Sequence, residues 1–440
     1  MPEPPGSSSH LNGWKEIAGY LGVSVRTAQT FEKEQGLPVR RGLGVKAPVS
    51  AFPAELDAWK FRMTGAGRPA ASGKAAETHN LSRRDWTRHA MIGGTAALAL
   101  GGVGFGIAKY RSGHQEKPAA YRVVGATLTV LGEDGGVLWR HTFPEGVVGG
   151  SYTNDTVHTY CTFDDLDGDG HIETVFYYVP NLLDRKLVCF DAHGNVRWEF
   201  VPGRTVMDNR FREFAPPYGI YTYVIVHSPS SRVARVVVSC FHHWSFPNQV
   251  VVLDAKTGRI LSEYWHRGHL PHIAVADLDG DGEPEVLLGG VNDAPEYDRA
   301  TLVVFDHRRI AGAARDPQGR VYFEGMQPGT EKRIVYFPRT PLSQGQEFNR
   351  VKEIMAASGR IDVGVAEGIS EGSSMVIYQF DYSLGPLNVS FEDRAYQLYR
   401  ELQAAGRAPH GSREMAGESL RKQVVVIPPA PDTWRPAAEH

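Results

Sequence analysis

At 440 residues, 42 % hydrophobic and 22 % charged, the chain is too long for one small core and too apolar for disorder throughout, so roughly two to four domains are expected. Gly 48 and Pro 28, scattered among short apolar runs, exclude a collagen-like or low-complexity chain and point to turn-rich β structure. The formal net charge of -3 hides a split: residues 1–89 hold 13 Lys+Arg against 8 Asp+Glu and the remainder 34 against 42, a basic head on an acidic body.

Residues 1–11 read as a disordered leader. Trp14, Ile17, Ala18 and Leu21 then fall on one apolar helical face, Gly22-Val23 turns the chain, and Ser24 can cap a second helix. That helix would bury Val25, Ala28 and Phe31 and present Arg26, Thr27, Gln29, Thr30 and Lys33 outward. A polar, donor-rich second helix after a short turn suits a major groove, where Arg and Gln bond base edges and Lys and Thr hold phosphates. WKEIAGYLGVSVRTAQTFEKEQGLPVRR, with AFPAELDAWK after a basic turn, resembles the winged helix-turn-helix of the MerR and excisionase group over about residues 12–60. The resemblance implies a DNA-binding domain with a wing holding Arg40, Arg41 and Lys46. It departs from the pattern at Thr30-Phe31, where relatives carry Arg-Trp. With so few phosphate-binding charges a single copy would grip DNA weakly, so a homodimer is expected. The alternative is a small domain that binds protein instead of DNA.

Residues 61–89 read as a flexible linker. Residues 90–108, AMIGGTAALALGGVGFGIA, carry no charge and no proline, and as a helix would just span a bilayer. Arginines before the run and the basic head place the N-terminus in the cytoplasm and the remainder outside a bacterial inner membrane, in the periplasm or beyond. Ser82-Arg83-Arg84-Asp85-Trp86 ahead of this mild segment also resembles a twin-arginine export signal.

Beyond residue 120 two loops dominate: Asp165-Leu166-Asp167-Gly168-Asp169-Gly170-His171-Ile172-Glu173 and Asp277-Leu278-Asp279-Gly280-Asp281-Gly282-Glu283-Pro284-Glu285. Oxygen donors at positions one, three, five and nine, with a backbone carbonyl at seven, suit a hard cation, calcium above all. An EF-hand fails: position twelve is Phe176 or Leu288, and strand-like VFYYV or VLLGGV follows. The bland alternative is an Asp/Gly turn that binds nothing, against which stands the mutual repulsion of so many carboxylates.

The loops are also landmarks of a repeat. Apolar strands ending at Asp191, Asp254, Asp306 and Asp381 recur at spacings of 63, 52 and 75, with an earlier partial copy at Gly132. Three or four short strands per period mean propeller blades. The arrangement resembles FG-GAP (VCBS, integrin-α-like) β-propellers over about 120–430, although the Phe-Gly-Gly-Ala-Pro element is absent; about five to seven blades would use that length. QVVVIPP, residues 423–429, is expected to return and complete the first blade, RAYQLYRELQAA, 394–405, to be a helix, and 431–440 to be a tail.

No Ser/His/Asp order, phosphate-cradling glycine loop or paired-carboxylate pattern is visible, so no enzyme is expected. His242, His243, His266, His269 and His272 form the one region where acid/base chemistry would hide. Tyr218, Tyr221, Tyr223, Trp244 and Trp265 offer a ligand-binding rim. The expected fold class is thus multidomain: a small α-helical winged helix-turn-helix, one transmembrane helix and an all-β propeller. The expected function is a membrane-anchored, DNA-binding regulator with an exported calcium-binding propeller for an external ligand. The alternative is an exported adhesion or carbohydrate-binding propeller with an N-terminal module that does not bind DNA.

Overall fold

The computed structural model describes residues 11–21, single positions and short runs between 25 and 56, and 117–429 apart from 148–151, 153–158, 181–183, 295–296, 316–319, 344–347 and 368–373. The expected linker 61–89, span 90–108 and tail 431–440 lie outside the described residues. The chain divides into two compact units, Met1–Gly101 and Gly102–His440.

In the first unit β1 (Leu11–Asn12) leads straight into α1 (Gly13–Leu21), and β2 (Arg40–Arg41) and β3 (Val49–Ala51) complete an antiparallel sheet ordered β1-β3-β2. Leu11, expected in a disordered leader, pairs with Ala51. The apolar face read at Trp14–Leu21 exists, and Ile17 and Ala18 bury it against Val49 and Ala51 together with Ala28, Leu37 and Leu56.

The second unit is a succession of antiparallel sheets. β4 (Pro118–Val124), β5 (Thr127–Gly132) and β6 (Val137–Thr142) form sheet I. Sheet II is the up-and-down run β7 (Cys161–Asp164), β8 (Glu173–Tyr178), β9 (Lys186–Phe190) and β10 (Val196–Phe200). A small ribbon, β11 (Val206–Met207) with β12 (Glu213–Phe214), precedes sheet III, made of β13 (Tyr218–Ser228), β14 (Ser231–His242), β15 (Pro247–Asp254) and the first half of β16 (Ile260–Ala276). The second half of β16 opens sheet IV, pairing with β17 (Glu285–Ala294), which continues to β18 (Tyr297–Asp306). The short β19 (Gly312–Ala313) lies parallel to β16, and β20 (Arg333–Tyr336) is the fourth strand of sheet IV. Sheet V runs β21 (Arg350–Ala357), β22 (Arg360–Ala366), β23 (Met375–Asp381) and β24 (Pro386–Phe391). Four-stranded up-and-down sheets in sequence are the unit of a propeller, and the order is propeller-like.

Successive sheets bury their faces on one another. Leu128 and Val130 of sheet I meet Phe176 and Phe190 of sheet II; Val175 and Leu187 of II meet Val236 and Val238 of III. Val237 and Val250 of III meet Val286 and Val303 of IV, and Leu287 and Leu302 of IV meet Val363 and Tyr378 of V. Val236 and Val238 point one way and Val237 the other, so a strand between two neighbours reads as an unbroken apolar run.

The last sheet is closed differently. α2 (Asp393–Ala404), where a helix was expected at 394–405, and α3 (Arg413–Arg421) place Ala395, Tyr399, Ala416 and Leu420 in the same core as Val389 and Phe391 of β24. Ser412 caps α3 by accepting the Met415 N–H, and a Cβ at Gly417 would stand 2.1 Å from the Val389 carbonyl, so only glycine lets the helix lie this close. β25 (Val425–Ile427) does not complete the first sheet as expected; it pairs with β20 and becomes a fifth strand of sheet IV. Its reach is set by α2 and α3, which return the chain beside β20.

The expected fold class is therefore corrected. The described chain is mostly β; α1, α2 and α3 are the α-helices whose bounds are described, and no helix among the described residues is long and apolar enough to cross a membrane. Among the described residues of the first unit no winged helix-turn-helix is displayed: the helical face read at Trp14–Leu21 closes on a three-stranded sheet as well as on Ala28, Leu37 and Leu56. Helical periodicity in one short segment fixes a buried face but not the partner that covers it.

Two acidic loops as a candidate cation centre

Each acidic loop joins the first and second strands of its sheet, β7 to β8 in sheet II and β16 to β17 in sheet IV. Both curl by the same bonds. Asp165 accepts the Gly168 N–H at 2.8 Å and the Gly170 N–H at 3.0 Å, and Asp277 accepts those of Gly280 and Gly282 at the same distances. The position-nine carboxylate closes the ring: Glu173 accepts from Leu166 N–H at 3.0 Å and Glu285 from Leu278 N–H at 2.8 Å. The glycines sit at φ +71 and +89 in the first loop and +76 and +84 in the second, where a side chain would be strained.

This curl gathers positions one, three and nine. One oxygen each from Asp165, Asp167 and Glu173 lie within 4.8 Å of one another, and so do those of Asp277, Asp279 and Glu285. The side chains of positions five and seven fall outside these groups. Asp169 accepts the His171 N–H at 2.8 Å and Asp281 the Glu283 N–H at 2.7 Å. His171 is exposed, and Glu283 turns towards sheet III, accepting from the Ser228 hydroxyl at 2.6 Å and meeting His307 Nε2 at 2.9 Å. The hydroxyls of Ser228 and Ser230, with His307, hold the Glu283 carboxyl down at about 2.

Two cations that sequence reasoning passed over complete the geometry. Arg197 of β10 reaches Asp167 Oδ2 at 2.8 Å and Glu173 Oε1 at 2.7 Å; Lys332, just before β20, reaches Asp279 Oδ2 at 2.8 Å and Glu285 Oε1 at 2.7 Å. Lys256 adds a 3.3 Å contact to Asp167. Bonding to Arg197 holds Asp167 below the usual carboxylate range, and bonding to Lys332 does the same for Asp279. Burial pushes Glu173 up, outweighing its Leu166 bond and Arg197. The signal available in the sequence was a basic residue opening the fourth strand of each loop-bearing repeat.

The donor set fits a hard cation. It is all oxygen, and Asp167 Oδ1 is buried with no hydrogen-bond partner on a side chain only 3 % exposed. Asp165, Asp167 and Glu173 would hold a divalent ion in one loop, and Asp277, Asp279 and Glu285 in the other.

The other expected sites are placed as follows. Arg40 is exposed on β2, Arg41 belongs to the same strand, and Gln29 is half-buried; Arg26, Thr27, Thr30, Lys33 and Lys46 lie outside the described residues. The histidines are largely spent on backbone. His242 Nε2 pairs with the Ala215 carbonyl, His266 Nε2 with that of Val291, and His269 with the Ser245 carbonyl and the Tyr221 hydroxyl. Burial pulls His266 and His269 down to about 4, so both are neutral at pH 7. Of the expected aromatic rim, Tyr218, Tyr223 and Trp265 are core residues, which leaves Tyr221 and Trp244 half-buried.

No family model matches the sequence, and no curated protein matches it. Among solved structures, the Dos1 propeller aligns with a TM-score of 0.31 at 10 % identity, covering 61 % of this chain and 64 % of that one. The BBS1N structure in complex with ARL6DN gives 0.28 at 11 % identity over 54 % of this chain and 71 % of that one. The V. cholerae biofilm matrix protein Bap1 gives 0.22 at 16 % identity over 62 % of this chain and 52 % of that one. The chain thus spans under two thirds of the Dos1 propeller and about half of Bap1.

Proposed function

We propose that the second unit is a non-catalytic binding module of the adhesion class, propeller-like in build, exported, and fastened by calcium at its two acidic loops. The observation that carries this reading is the pair of matching oxygen clusters, one of which retains a buried carboxylate oxygen without a partner. Calcium would draw the carboxylates of positions one, three and nine into one shell and so stiffen the turn. The chain's own residues do the rest. Leu166 plugs the core between sheets II and III, and the Leu166 and Gly168 carbonyls accept from Ala234 N–H at 2.8 Å and Arg232 at 2.6 Å. A stiffened loop would therefore lock a seam between sheets. An exported setting suits the reading because extracellular modules of this chemistry bind calcium only at about 10⁻⁴ to 10⁻³ M. The ligand would be a protein or a carbohydrate outside the cell.

The test is a thermal melt of the full chain in chelator and in millimolar calcium chloride, with retention on immobilised glycans and matrix proteins measured under the same two conditions. Calcium should raise the melting temperature, Asp279→Ala should remove part of that rise, and retention should be lost in chelator. An unchanged melt removes the metal from the reading; a stable chain retained on none of the surfaces removes the adhesion class.

A further inference from the structure

We propose that Arg197 and Lys332 are built-in counter-cations: each holds the position-three and position-nine carboxylates of its loop when no metal is there, and competes with the metal for them, which sets how tightly the loop takes calcium. The inference rests on the calcium reading above and concerns what limits it.

The two residues occupy one place in the fold. In sheet II, Phe190 pairs with Val196 and Cys189 with Trp198, so Arg197 is the extra residue in a bulge at the start of the fourth strand. In sheet IV, Val304 pairs with Arg333 and accepts the Lys332 N–H at 2.8 Å, which sets Lys332 one residue ahead of the partner of Val304, as Arg197 stands to Cys189. The same place exists in the other sheets. Leu131 pairs with Val137 and Val130 with Trp139 around Leu138; Leu253 with Ile260 and Val252 with Ser262 around Leu261; Phe380 with Pro386 and Gln379 with Asn388 around Leu387. Sheets I, III and V carry no acidic loop, and each has leucine there. Leu138 and Leu261 pack partly buried against cores, whereas Leu387 is 54 % exposed. A cation stands at the site in the two sheets that carry an acidic loop.

Charge explains the pairing. Glu173 and Glu285 have side chains only 2 % and 3 % exposed, and an ionised carboxylate so placed needs a positive partner. Arg197 and Lys332 supply it on the same two oxygens in both loops, Oδ2 of position three and Oε1 of position nine. A divalent ion drawing on those carboxylates meets a like charge already bonded to two of its three donors, so binding it requires that the side chain withdraw. Lys332, 37 % exposed, has water to withdraw into; Arg197, 22 % exposed and bidentate, has less.

The experiment is calorimetric titration of the full chain with calcium chloride, together with melting temperatures in chelator, for wild type, Lys332→Met, Arg197→Met and the charge-keeping Lys332→Arg. Expected are calcium binding roughly tenfold tighter at one site in each Met variant, a lower melting temperature in chelator that calcium restores, and wild-type affinity in Lys332→Arg. If wild type binds calcium and the Met variants bind it no more tightly, the counter-cation inference is overturned while the calcium reading stands. If no chain binds calcium, the calcium reading falls and the competition falls with it. Should Arg197→Met not fold, Lys332→Met on its part-exposed side chain decides the matter.

Discussion

The two acidic loops share Asp-Leu-Asp-Gly-Asp-Gly and a glutamate at position nine, and they curl by matching backbone bonds, yet their surroundings differ. Asp167 is 3 % exposed and takes both Arg197 and Lys256, whereas Asp279 is 49 % exposed and takes Lys332. Leu166 is fully buried between sheets II and III, while Leu278 is only partly buried at the core of sheets IV and V. A short motif dictates the shape of a turn; the neighbouring sheet dictates what that turn costs to open and how much charge it must share.

Truncating the closing carboxylate would break this comparison most visibly. Glu173→Ala takes from Arg197 one of its two carboxylates and leaves the Leu166 N–H unpaired in a buried setting, and should cost about 2 to 3 kcal/mol in urea unfolding. Glu285→Ala should cost about 1 to 2 kcal/mol, since Lys332 can turn to solvent. Equal losses would mean that the surroundings of the loops are energetically alike. Next, Leu166→Ala should cost about 2 to 3 kcal/mol and Leu278→Ala less than half of that, because only the first opens a fully enclosed cavity. A larger loss at Leu278 would reverse the assignment of the tighter seam.

The smallest effect belongs to the link between the second loop and sheet III. The Glu283 pKa is held down at about 2, so its contribution is complete above the ordinary carboxylate range and is lost as the pH falls towards 2. Stability measured against pH should therefore decline less steeply on the acid side for Glu283→Gln than for wild type. Identical acid limbs would show that the Ser228 and His307 contacts do not couple that loop to its neighbour. Any such series must allow for His266 and His269. Their lowered pKa values make both contribute fully above pH 6.5 and lose that contribution between pH 6.5 and about 4, as the unfolded chain takes up protons the folded one refuses.

Much of the second unit was legible beforehand, and for local reasons. The strands ending at Asp191, Asp254, Asp306 and Asp381 are β9, β15, β18 and β23, found through apolar runs punctuated by Asp and Gly. The helix at 394–405 was legible from its period, and the curled loops from their spacing. Other features were not. That β16 serves two sheets depends on a long strand bending where Arg267 pairs with β15 and Gly268 with β17. The helical cover on sheet V was missed because its small residues, Ala416 and Gly417, carry no strong pattern and act by letting backbones approach. In the first unit the apolar face of α1 was read correctly and Ala28 packs on it as expected, whereas the strand Leu11–Asn12 that precedes it was not read.

What the sequence alone determined is the set of features whose cause lies within a few residues: the strand runs, the repeat, and the glycine-permitted curl that assembles Asp165 with Glu173 and Asp277 with Glu285. Only the tertiary structure decided which edge β25 joins, what covers β24, and that Arg197 and Lys332 come to rest on the acidic loops. Sheet edges, exposed faces and unpaired charges are each open to several distant partners, and packing of the whole unit selects among them.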